Sequence, residues 1–440
     1  MRVFLLISKD GDAWCLAQRI RDEGHRALVY INNEEKRRVG NGIVEKHPEQ
    51  RTLIDKDGQI DHDVHHALMH PKPDCVIFDM IGEGFGELAD EIREEDKLSV
   101  IGGSAWADKV ELDRLYGAKV MKTVGINIPK TYQFTDYQMA IKFVEDKNLP
   151  FVYKPSGNQC TTTTYVAKGP DDLIGMLEYY SDIREEFELQ EKVEGIEVST
   201  ELWFNGNEVI NVNHTMEEKH LLEGGRGPKA GCMGSMVWVG SMDCRLYKEG
   251  IGKMVSALKK VDYRGPIDLN TIVTKDKLYG LEFTARFGYD ALFVLLEMFK
   301  GKISDLLYGV ATGITREMNF RSDWGAGIDL CVPPYPLSCK PDLYKNVLIQ
   351  GMDNKNERHM WLYDVYKVGS RYLCAGCGGD VGTVTSRGDK IDGYSPIREA
   401  KRRVLRTISN LIIPDLMYRR DIGDRVQSEY EQLKSWGWLS

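Results

Sequence analysis

This 440-residue chain has no long apolar run near its start, no excess of basic residues and no cysteine spacing typical of a small disulfide scaffold. The run in "MRVFLLISKDGDAW" is too short for the core of a secretion signal or for a membrane span. The net charge of −9 argues against a basic surface for nucleic acid. The nine cysteines are typical of free thiols in a reducing compartment, and the lone CxxC at Cys374 and Cys377 lacks a partner motif for a redox or zinc role. These absences predict a cytoplasmic protein that binds neither nucleic acid nor membranes.

Apolar residues make up 42% of the chain, enough for two to four domain cores. Near the start, "RVFLLIS", "GDAWCLAQRIRDEGH" and "RALVYIN" alternate strand, glycine turn, helix and strand, which is typical of a parallel α/β unit. We therefore predict an α/β domain over residues 1–105. Within it, "HDVHHALMH" spaces His62, His66 and His70 along one helix face. That face fits either a metal site or, since no acid or cysteine cluster completes a shell, an ordinary solvated surface.

Glycine and proline mark the next boundaries. A predicted helix ends at Gly125 and Pro129 opens a new segment, which suggests a hinge into a second domain. There "LPFVYKPSG" predicts a strand, "FELQEKVEGIEVSTELWFNG" two strands around a tight turn, and "DLNTIVTKDKLYGLEFTA" a hairpin. Later, short strands and the long helix "SPIREAKRRVLRTISNLI" predict a third domain. The predicted division after the first domain is 106–325 and 326–440, and the fold class is α/β with mixed α+β character.

Two acids interrupt the apolar arms of the predicted hairpin. Asp268 and Glu282 would lie side by side, and buried carboxylates in that position repel each other unless a cation lies between them. Mg²⁺ prefers one or two carboxylates together with phosphate oxygens and water. Asn270 and Thr284 add neutral oxygens on the same strand faces. The hairpin therefore predicts a metal site, against the alternative of two unrelated surface acids.

Three other features fit phosphate binding but have ordinary explanations. Lys154 ends a strand and could bind phosphate as a point charge, or it could simply extend into solvent. The loop "NQCTTTT", residues 158–164, offers hydroxyl and N–H groups, or else begins a strand. The segment "GGRGPKAGCMGS", residues 224–235, has five glycines that would let N–H groups approach an anion, but a plain flexible loop has the same composition.

In combination these segments resemble the phosphoribosylamine–glycine ligase family of the ATP-grasp superfamily, over nearly the whole chain. "GGSAWADKVELDRLYGAKVMKTVGINIP" is similar to the family's GP-S-…-LE-SK-…-MK-…-GIP segment, "YKPSG" to its strand ending in lysine, and "LQEKVEGIEVS" to its E-E-F-L-x-G-E-E-x-S hinge. "GPKAGCMG" is similar to GPNTGGMG. The most specific likenesses are "LEFTARFGYD" to LEFNxRFGDPE and "YRRDIGDR", residues 418–425, to the family's closing motif. The resemblance implies an ATP-grasp fold with an N-terminal Rossmann-like domain, a small lid lobe over about residues 125–190 and a mixed C-terminal domain.

The resemblance also assigns roles to individual positions. Lys154 and Arg114, the latter standing where the family has lysine, would bind the ATP phosphates, and Arg286 would face the transferred phosphate. The hinge residues Glu191, Lys192 and Val193 would contact the adenine of ATP. Glu197, which follows the hinge, would bind the ribose hydroxyls. The ligands of Mg²⁺ or Mn²⁺ would be Glu282, Thr284 in place of the family's asparagine, and Asp268, where many other ATP-grasp enzymes place a carboxylate. The substrate-binding positions would be Lys219, Gly227, Pro228, Lys229 and Gly231.

The sequence departs from the family pattern at four places. The family's GLAAGKG loop is replaced by "GNQCTTTTY", and threonine does not readily adopt the positive φ that glycine allows. The metal asparagine is Thr284. The D-P-E after RFG is replaced by "YDA", residues 289–291, and D-H-K-R by "EEKH", residues 217–220. The last two changes lie where the family recognises its small substrates, so the amino acid and the amine stay open.

The expected activity is ATP-dependent joining of a carboxylate to an amine through an acyl phosphate, a reaction that depends mainly on positioning and charge neutralisation. In the family the substrates are glycine and phosphoribosylamine, and the reaction belongs to purine nucleotide synthesis. Two alternatives stay open: the same chemistry on another pair, or a catalytically silent relative that binds a nucleotide or a protein. The expected partners are small-molecule substrates and ATP, and the protein is expected to be a monomer or homodimer.

Overall fold

The computed structural model describes residues 1–155, 164–183, 186–314, 317–337, 344–390 and 395–439. Its strands are β1 (Val3–Ser8), β2 (Arg26–Ile31), β3 (Glu45–Lys46), β4 (Cys75–Phe78), β5 (Val100–Ile101), β6 (Thr131–Phe134), β7 (Phe151–Pro155), β8 (Tyr165–Val166), β9 (Phe187–Glu191), β10 (Ile196–Asn205), β11 (Val209–Glu217), β12 (His220–Leu222), β13 (Arg226–Lys229), β14 (Gly234–Val239), β15 (Arg264–Val273), β16 (Leu278–Thr284), β17 (Trp324–Cys331), β18 (Leu348–Ile349), β19 (Met360–Leu362), β20 (Val365–Val368), β21 (Arg371–Cys374) and β22 (Asp380–Gly388). Its α-helices are α1 (Cys15–Asp22), α2 (His62–Leu68), α3 (Phe85–Glu94), α4 (Ala105–Leu112), α5 (Arg114–Val124), α6 (Tyr137–Lys147), α7 (Pro170–Tyr179), α8 (Arg245–Glu249), α9 (Val255–Lys260), α10 (Tyr289–Met298), α11 (Ile303–Thr312), α12 (Pro396–Ile408) and α13 (Val426–Ser435). Short 3₁₀ helices lie at Glu34–Lys36, Ile251–Met254 and Glu357–His359. None of the helices in these ranges combines the length and apolarity that a membrane crossing requires.

The N-terminal strands form a parallel five-stranded sheet in the order β3-β2-β1-β4-β5. Strands β1, β2 and β4 are almost wholly buried, as expected for a parallel sheet covered on both faces. The winding direction reverses between β1 and β4, and ligand crevices form outside the carboxyl ends of strands at such a switch point. Two acids, Asp12 and Asp79, follow these two strands. The α/β unit predicted from the alternating pattern is confirmed.

A second, small antiparallel sheet has the order β6-β9-β7-β8, with α6 and α7 contributing to the same core. Its core is rich in aromatic rings; the Phe187 centroid lies 4.5 Å from that of Tyr137 and 5.0 Å from that of Tyr153. Successive side chains of a strand point to opposite faces. Lys154, which follows Tyr153 on β7, is therefore directed to the face away from this core.

An eight-stranded antiparallel sheet has the order β16-β15-β10-β11-β14-β17-β22-β19. The predicted hairpin is confirmed as β15 and β16, joined by a turn in which Thr274 and Lys277 share a backbone hydrogen bond of 2.8 Å. Strands β17, β19 and β22 bring residues from beyond position 325 into the same sheet as β10 and β11. The division of the chain into domains stays a prediction.

Two local predictions were wrong. The strands β9 and β10 exist, but they do not pair around a tight turn: β9 pairs with β6 and β7, whereas β10 pairs with β11 and β15, so this segment connects the two sheets.

The helix predicted to end at Gly125 does end there, with φ of 82°, but it is interrupted at Asp113. The helix is interrupted because Asp113 is an N-cap: its side chain accepts a hydrogen bond from the Tyr116 amide, and α5 begins at the next residue.

The histidine face also differs from the expectation. Helix α2 ends at Leu68, so His70 lies beyond it. Metal-binding atoms of His62, His65 and Glu91 lie within 4.8 Å of one another, and His65 Nε2 lies 2.9 Å from Asp96 Oδ2. The grouping therefore contains His65 and Glu91 rather than the predicted His66 and His70. Its buried member, His65, already pairs with Asp96.

Candidate active site

The β15–β16 hairpin brings four oxygen-bearing side chains to one face of the large sheet. Asp268 lies opposite Thr284, and Asn270 lies opposite Glu282. Directly opposed residues in an antiparallel pair share a face, and so do residues two apart on one strand. The expectation that both acids are buried was wrong for Glu282, whose side chain is exposed because it lies on the wall of an open cavity, while Asp268 is half-buried.

Two buried oxygens on this face lack donors. Asp268 Oδ1 and Asn270 Oδ1 are both buried and accept no hydrogen bond from any described residue. Burial, reinforced by the charges of Glu217 and Glu201, raises the pKa of Asp268 well above its usual range. Buried oxygens without donors fit a hard divalent cation, which binds carboxylate and amide oxygens.

A cavity of about 600 Å³ lies between the small sheet and the hairpin, a volume in the range of small-molecule sites. Its walls come from α4, α5, β6, β7, β9 and β16. Five of the predicted site residues line it: Arg114, Lys154, Glu282, Thr284 and Arg286. Two basic residues predicted to bind phosphate therefore share one cavity with the predicted metal acid.

Lys154 is 8% exposed at the end of β7. Burial lowers the pKa of Lys154, the nearby Glu282 opposes this shift, and Arg114 adds to it. Lys154 and Arg114 are thus close enough to repel each other electrostatically. A buried Lys154 beside a half-buried Arg114 is suited to a multiply charged anion. Of the threonine loop that follows, residues 158–163 lie outside the described residues.

Arg286 is held by an acid that the sequence reasoning did not identify. Its Nε lies 3.0 Å from Glu111 Oε1, and Glu111 Oε2 accepts the amide of Ala285 at 2.7 Å. The guanidinium carbon is 5.5 Å from the centre of the Tyr289 ring. Burial raises the pKa of Glu111, although Arg286 opposes the shift. The available signal was an acid within the short helix α4, "AWADKVEL".

The predicted adenine hinge lies at the end of the small sheet, where Glu191 ends β9 and Lys192 and Val193 follow it. The Glu191 amide donates to the Lys130 carbonyl at 2.8 Å. These three residues do not line the 600 Å³ cavity, but Gln190, immediately before them, does. The hinge therefore lies beside the cavity rather than in its wall.

The predicted ribose residue is engaged in an ion pair. Glu197 Oε1 lies 2.7 Å from Lys219 Nζ, and Asn270 Nδ2 donates to the same oxygen at 3.4 Å. Burial opposes the ionisation of Glu197, but Lys219 and the hydrogen bond from Asn270 together hold the pKa of Glu197 below its usual value. Lys219 also approaches Glu217 Oε2 at 3.7 Å. The structure thus connects the predicted ribose, substrate and metal positions through contacts between side chains.

The glycine-rich segment is divided between two places. Gly227, Pro228 and Lys229 belong to β13, are exposed, and line neither cavity of this site. Gly231 adopts a left-handed φ of 76° and lines a second cavity of about 380 Å³. Of the predicted substrate positions, Gly231 and Lys219 are therefore brought together, and 227–229 are not.

This second cavity, which we call the acidic pocket, adjoins the first and shares Glu282, Thr284 and Arg286 with it. Only Lys219 and Arg286 among its described lining residues are cationic. Its acids come from distant parts of the chain: Asp12, Glu217, Asp268, Glu282, Asp290, Asp329 and Asp380. Most of them were missed by the sequence reasoning, although the position of Asp12 after β1 at the switch point is a usable signal. An excess of carboxylates favours a positively charged group on the ligand.

A thiol takes part in this pocket. Cys232 Sγ donates to Asp290 Oδ2 at 2.8 Å, and ligand atoms of these two residues and Glu217 lie within 4.8 Å of one another. Burial raises the pKa of the Cys232 thiol well above its usual value, and the charge of Asp290 adds to the shift. Cys232 is therefore a neutral hydrogen-bond donor rather than a thiolate.

The C-terminal motif "YRRDIGDR" holds the segment that carries Lys219. Arg419 is 1% exposed; it pairs with Asp421 at 2.7 Å and with Glu218 at 3.2 Å, and its guanidinium donates to the His220 carbonyl at 2.9 Å. Arg425 pairs with the other oxygen of Glu218 at 2.7 Å. Two arginines thus fix both neighbours of Lys219.

Comparisons with known proteins agree with this geometry. Residues 113–291 match the family described as "Phosphoribosylglycinamide synthetase, ATP-grasp (A) domain". Phosphoribosylamine–glycine ligase of Halalkalibacterium halodurans is 24% identical over 348 residues, covering 76% of this chain and 79% of its own length. The Helicobacter pylori (strain ATCC 700392 / 26695) ligase is 23% identical over 437 residues, 96% of both chains.

Solved structures show the same architecture. The phosphoribosylamine–glycine ligase of Thermotoga maritima aligns with a TM-score of 0.68 at 17% identity, over 95% of this chain and 100% of its own. A biotin carboxylase from Campylobacter jejuni, solved with β,γ-ATP, aligns with a TM-score of 0.65 at 11% identity, over 98% and 96%. At these identities the likeness shows the ATP-grasp fold.

Proposed function

Because this chain is a divergent ATP-grasp relative of the phosphoribosylamine–glycine ligases, we propose that it joins the carboxylate of an amino acid to an amine at the expense of ATP. The observation that carries the proposal is the pair of adjoining cavities. One presents Lys154 and Arg114, the other is lined by carboxylates, and Glu282 and Arg286 lie in the wall of both. A reaction that passes a phosphoryl group from ATP to a second substrate requires this continuity.

We assign the metal position to Glu282, Asp268, Thr284 and the Asn270 side chain. The donor-free oxygens Asp268 Oδ1 and Asn270 Oδ1 support this assignment, because a cation would satisfy both. The ion proposed is Mg²⁺, with Mn²⁺ as a substitute, and when bound it would neutralise charge on the phosphate oxygens.

Each residue then has a task that its surroundings explain. Lys154 and Arg114 bind the phosphates of ATP, and the low accessibility of Lys154 strengthens that attraction. Arg286 faces the phosphoryl group in transfer, and its pairing with Glu111 fixes the guanidinium at the boundary between the cavities. The substrate carboxylate attacks that phosphoryl group to give an acyl phosphate and ADP, and the amine then displaces phosphate from the acyl carbon.

The acidic pocket is the proposed site of the amino acid and the amine. Its carboxylates would attract ammonium groups, and Lys219 and Arg286 would bind the carboxylate that is to be activated. Glycine and phosphoribosylamine, the substrates named for the relatives, are the reference pair for an assay. With that pair the reaction would belong to purine nucleotide synthesis.

Trapping with hydroxylamine tests the proposed intermediate. With ATP, Mg²⁺ and a suitable amino acid, but without the amine, hydroxylamine should yield a hydroxamate together with an equal amount of ADP. ATP hydrolysis without hydroxamate for every amino acid tested would contradict the acyl phosphate route.

A further inference from the structure

A third cavity, of about 450 Å³, lies apart from the proposed active site and shares no lining residue with either cavity there. We call it the arginine cavity, because six arginines line it: Arg19, Arg321, Arg358, Arg387, Arg403 and Arg406. They come from α1, from the segment before β17, from the 3₁₀ helix before β19, from β22 and from α12. The chain as a whole has a net charge of −9, so this concentration of positive charge is not a general property of the molecule.

Carboxylates near the arginine cavity pair with two of its six arginines: Arg387 with Glu297, and Arg403 with Glu399 and Asp389 at 2.7 and 2.8 Å. Both carboxylate oxygens of Glu23 accept backbone amides, those of the first two residues of α11, at 2.7 and 2.8 Å. Glu297 lies 3.1 Å from His359 Nδ1 and 3.8 Å from Arg387 Nη1. Within the described parts of the chain, Arg321, Arg358 and Arg406 have no carboxylate within 4.0 Å.

Part of the cavity wall is held rigidly. The Arg19 guanidinium donates to the carbonyls of Glu357, Arg358 and Met360 at 3.2, 3.0 and 2.9 Å. Its central carbon also lies 4.6 Å from the centre of the Trp361 ring. Arg19 thus fixes the backbone that presents Arg358, so that this positive group is presented from an ordered segment.

We propose that the arginine cavity binds a small phosphate-bearing anion as a site separate from the substrates. Guanidinium groups keep their charge at all physiological pH values and bind phosphate oxygens through two parallel hydrogen bonds. The hydroxyl-bearing residues Thr385 and Thr407 also line the cavity, and its volume suits a small metabolite. The site does not depend on the ligase activity proposed above.

The arginine cavity is joined to the acidic pocket by one helix. Tyr289 and Asp290 begin α10 and line the acidic pocket, while Leu296 and Glu297 near its end line the arginine cavity. A helix of this length spans roughly 15 Å. One helix therefore contributes to the walls of both the arginine cavity and the acidic pocket.

Titration calorimetry with inorganic pyrophosphate tests the proposal on the full chain. The variants are the double substitution Arg358→Gln with Arg406→Gln, and the matched control Arg398→Gln, an exposed arginine of α12 that does not line the cavity. Lys154→Gln reports binding in the cavity of about 600 Å³ instead, which Lys154 lines. We expect the dissociation constant of the arginine cavity to rise about tenfold or more in the double variant, since two charge-assisted contacts are lost, and to change little in Arg398→Gln. In Lys154→Gln only a second, independent binding event at the other cavity should weaken.

Three results would overturn the proposal. One is the absence of measurable pyrophosphate binding to the wild type at low salt. Another is binding that is lost in Lys154→Gln and retained in the double variant, which would place the anion in the cavity that Lys154 lines. The third is an equal loss in Arg398→Gln, which would indicate a general effect of surface charge. Because Arg358 and Arg406 are exposed, the double variant is expected to keep the wild-type circular dichroism spectrum and melting temperature.

Discussion

Glu111 holds Arg286 at the boundary between the cavity of about 600 Å³ and the acidic pocket, with Nε and Oε1 3.0 Å apart. The second oxygen of Glu111 accepts the amide of Ala285, so the acid fixes both the guanidinium and the backbone that carries it. The Glu111 side chain is 14% exposed, and in such a setting an ion pair strongly restricts orientation. We infer that Glu111 is a positioning residue for Arg286.

Glu111→Gln should therefore lower kcat more than it raises the KM for ATP. The neutral amide keeps the shape but not the charge of the partner, and a misplaced guanidinium costs transition-state stabilisation, about tenfold or more in kcat. Steady-state kinetics with ATP as the varied substrate measures this split. Glu111→Asp, which keeps the charge, should recover part of kcat. An unchanged kcat in the glutamine variant would contradict the role.

Glu282→Gln should abolish turnover, because the carboxylate is the central ligand of the proposed metal position. The check is ADP release at increasing Mg²⁺ concentrations. Asp276→Asn, at the exposed tip of the same hairpin, is the matched control and should retain wild-type activity. Most of the activity remaining in Glu282→Gln would refute the metal assignment.

Glu197 tests the ribose assignment through a comparison of nucleotides. If its carboxylate accepts the ribose hydroxyls, the wild type should use ATP about tenfold better than 2′-deoxy-ATP, as kcat/KM. Glu197→Gln should lose most of this preference. A variant that discriminates as well as the wild type would show that Glu197 serves only Lys219, its ion-pair partner at 2.7 Å.

His214 predicts a dependence of stability on pH. It is 1% exposed, its Nδ1 lies 2.9 Å from Thr200 Oγ1, and burial lowers its pKa to about 3. Since the unfolded state binds a proton near pH 6.5 and the folded state does not, stability from this group is present above pH 6.5 and is lost as the pH falls toward 3. The expected loss is about 2 kcal/mol between pH 6.5 and pH 5.

Urea unfolding of the wild type and of His214→Gln at both pH values isolates this contribution. Acids with a raised pKa, such as Glu201, titrate in both proteins and cancel in the difference. The wild type should lose more stability than the variant on acidification. Equal losses would contradict the assignment to His214.

The hairpin that carries the proposed metal site could be predicted from the sequence because its information is local. Alternating apolar residues around Lys275–Lys277 specify β15 and β16, and strand alternation then places Asp268 and Glu282 on one face. The burial of Glu282 could not be predicted, because it depends on whether another element covers that face. The cavity leaves it exposed.

The features that escaped prediction are contacts between distant segments. Glu111 meets Arg286 across 175 positions of the chain. Asp12 reaches the acidic pocket from the loop after β1, whereas Asp329 and Asp380 reach it from the paired strands β17 and β22. No periodicity in a single sequence encodes such pairings, since each depends on how the elements pack. The wrong pairing expected for β9 and β10 has the same origin.

The most direct test of the central claim is ADP release measured with ATP and Mg²⁺ across a panel of amino acids and amines that includes glycine with phosphoribosylamine. We expect that one pair supports turnover, that omission of either member or of Mg²⁺ stops it, and that one ADP forms for each amide. No turnover with any pair, together with no Mg²⁺-dependent nucleotide binding, would contradict an ATP-dependent ligase.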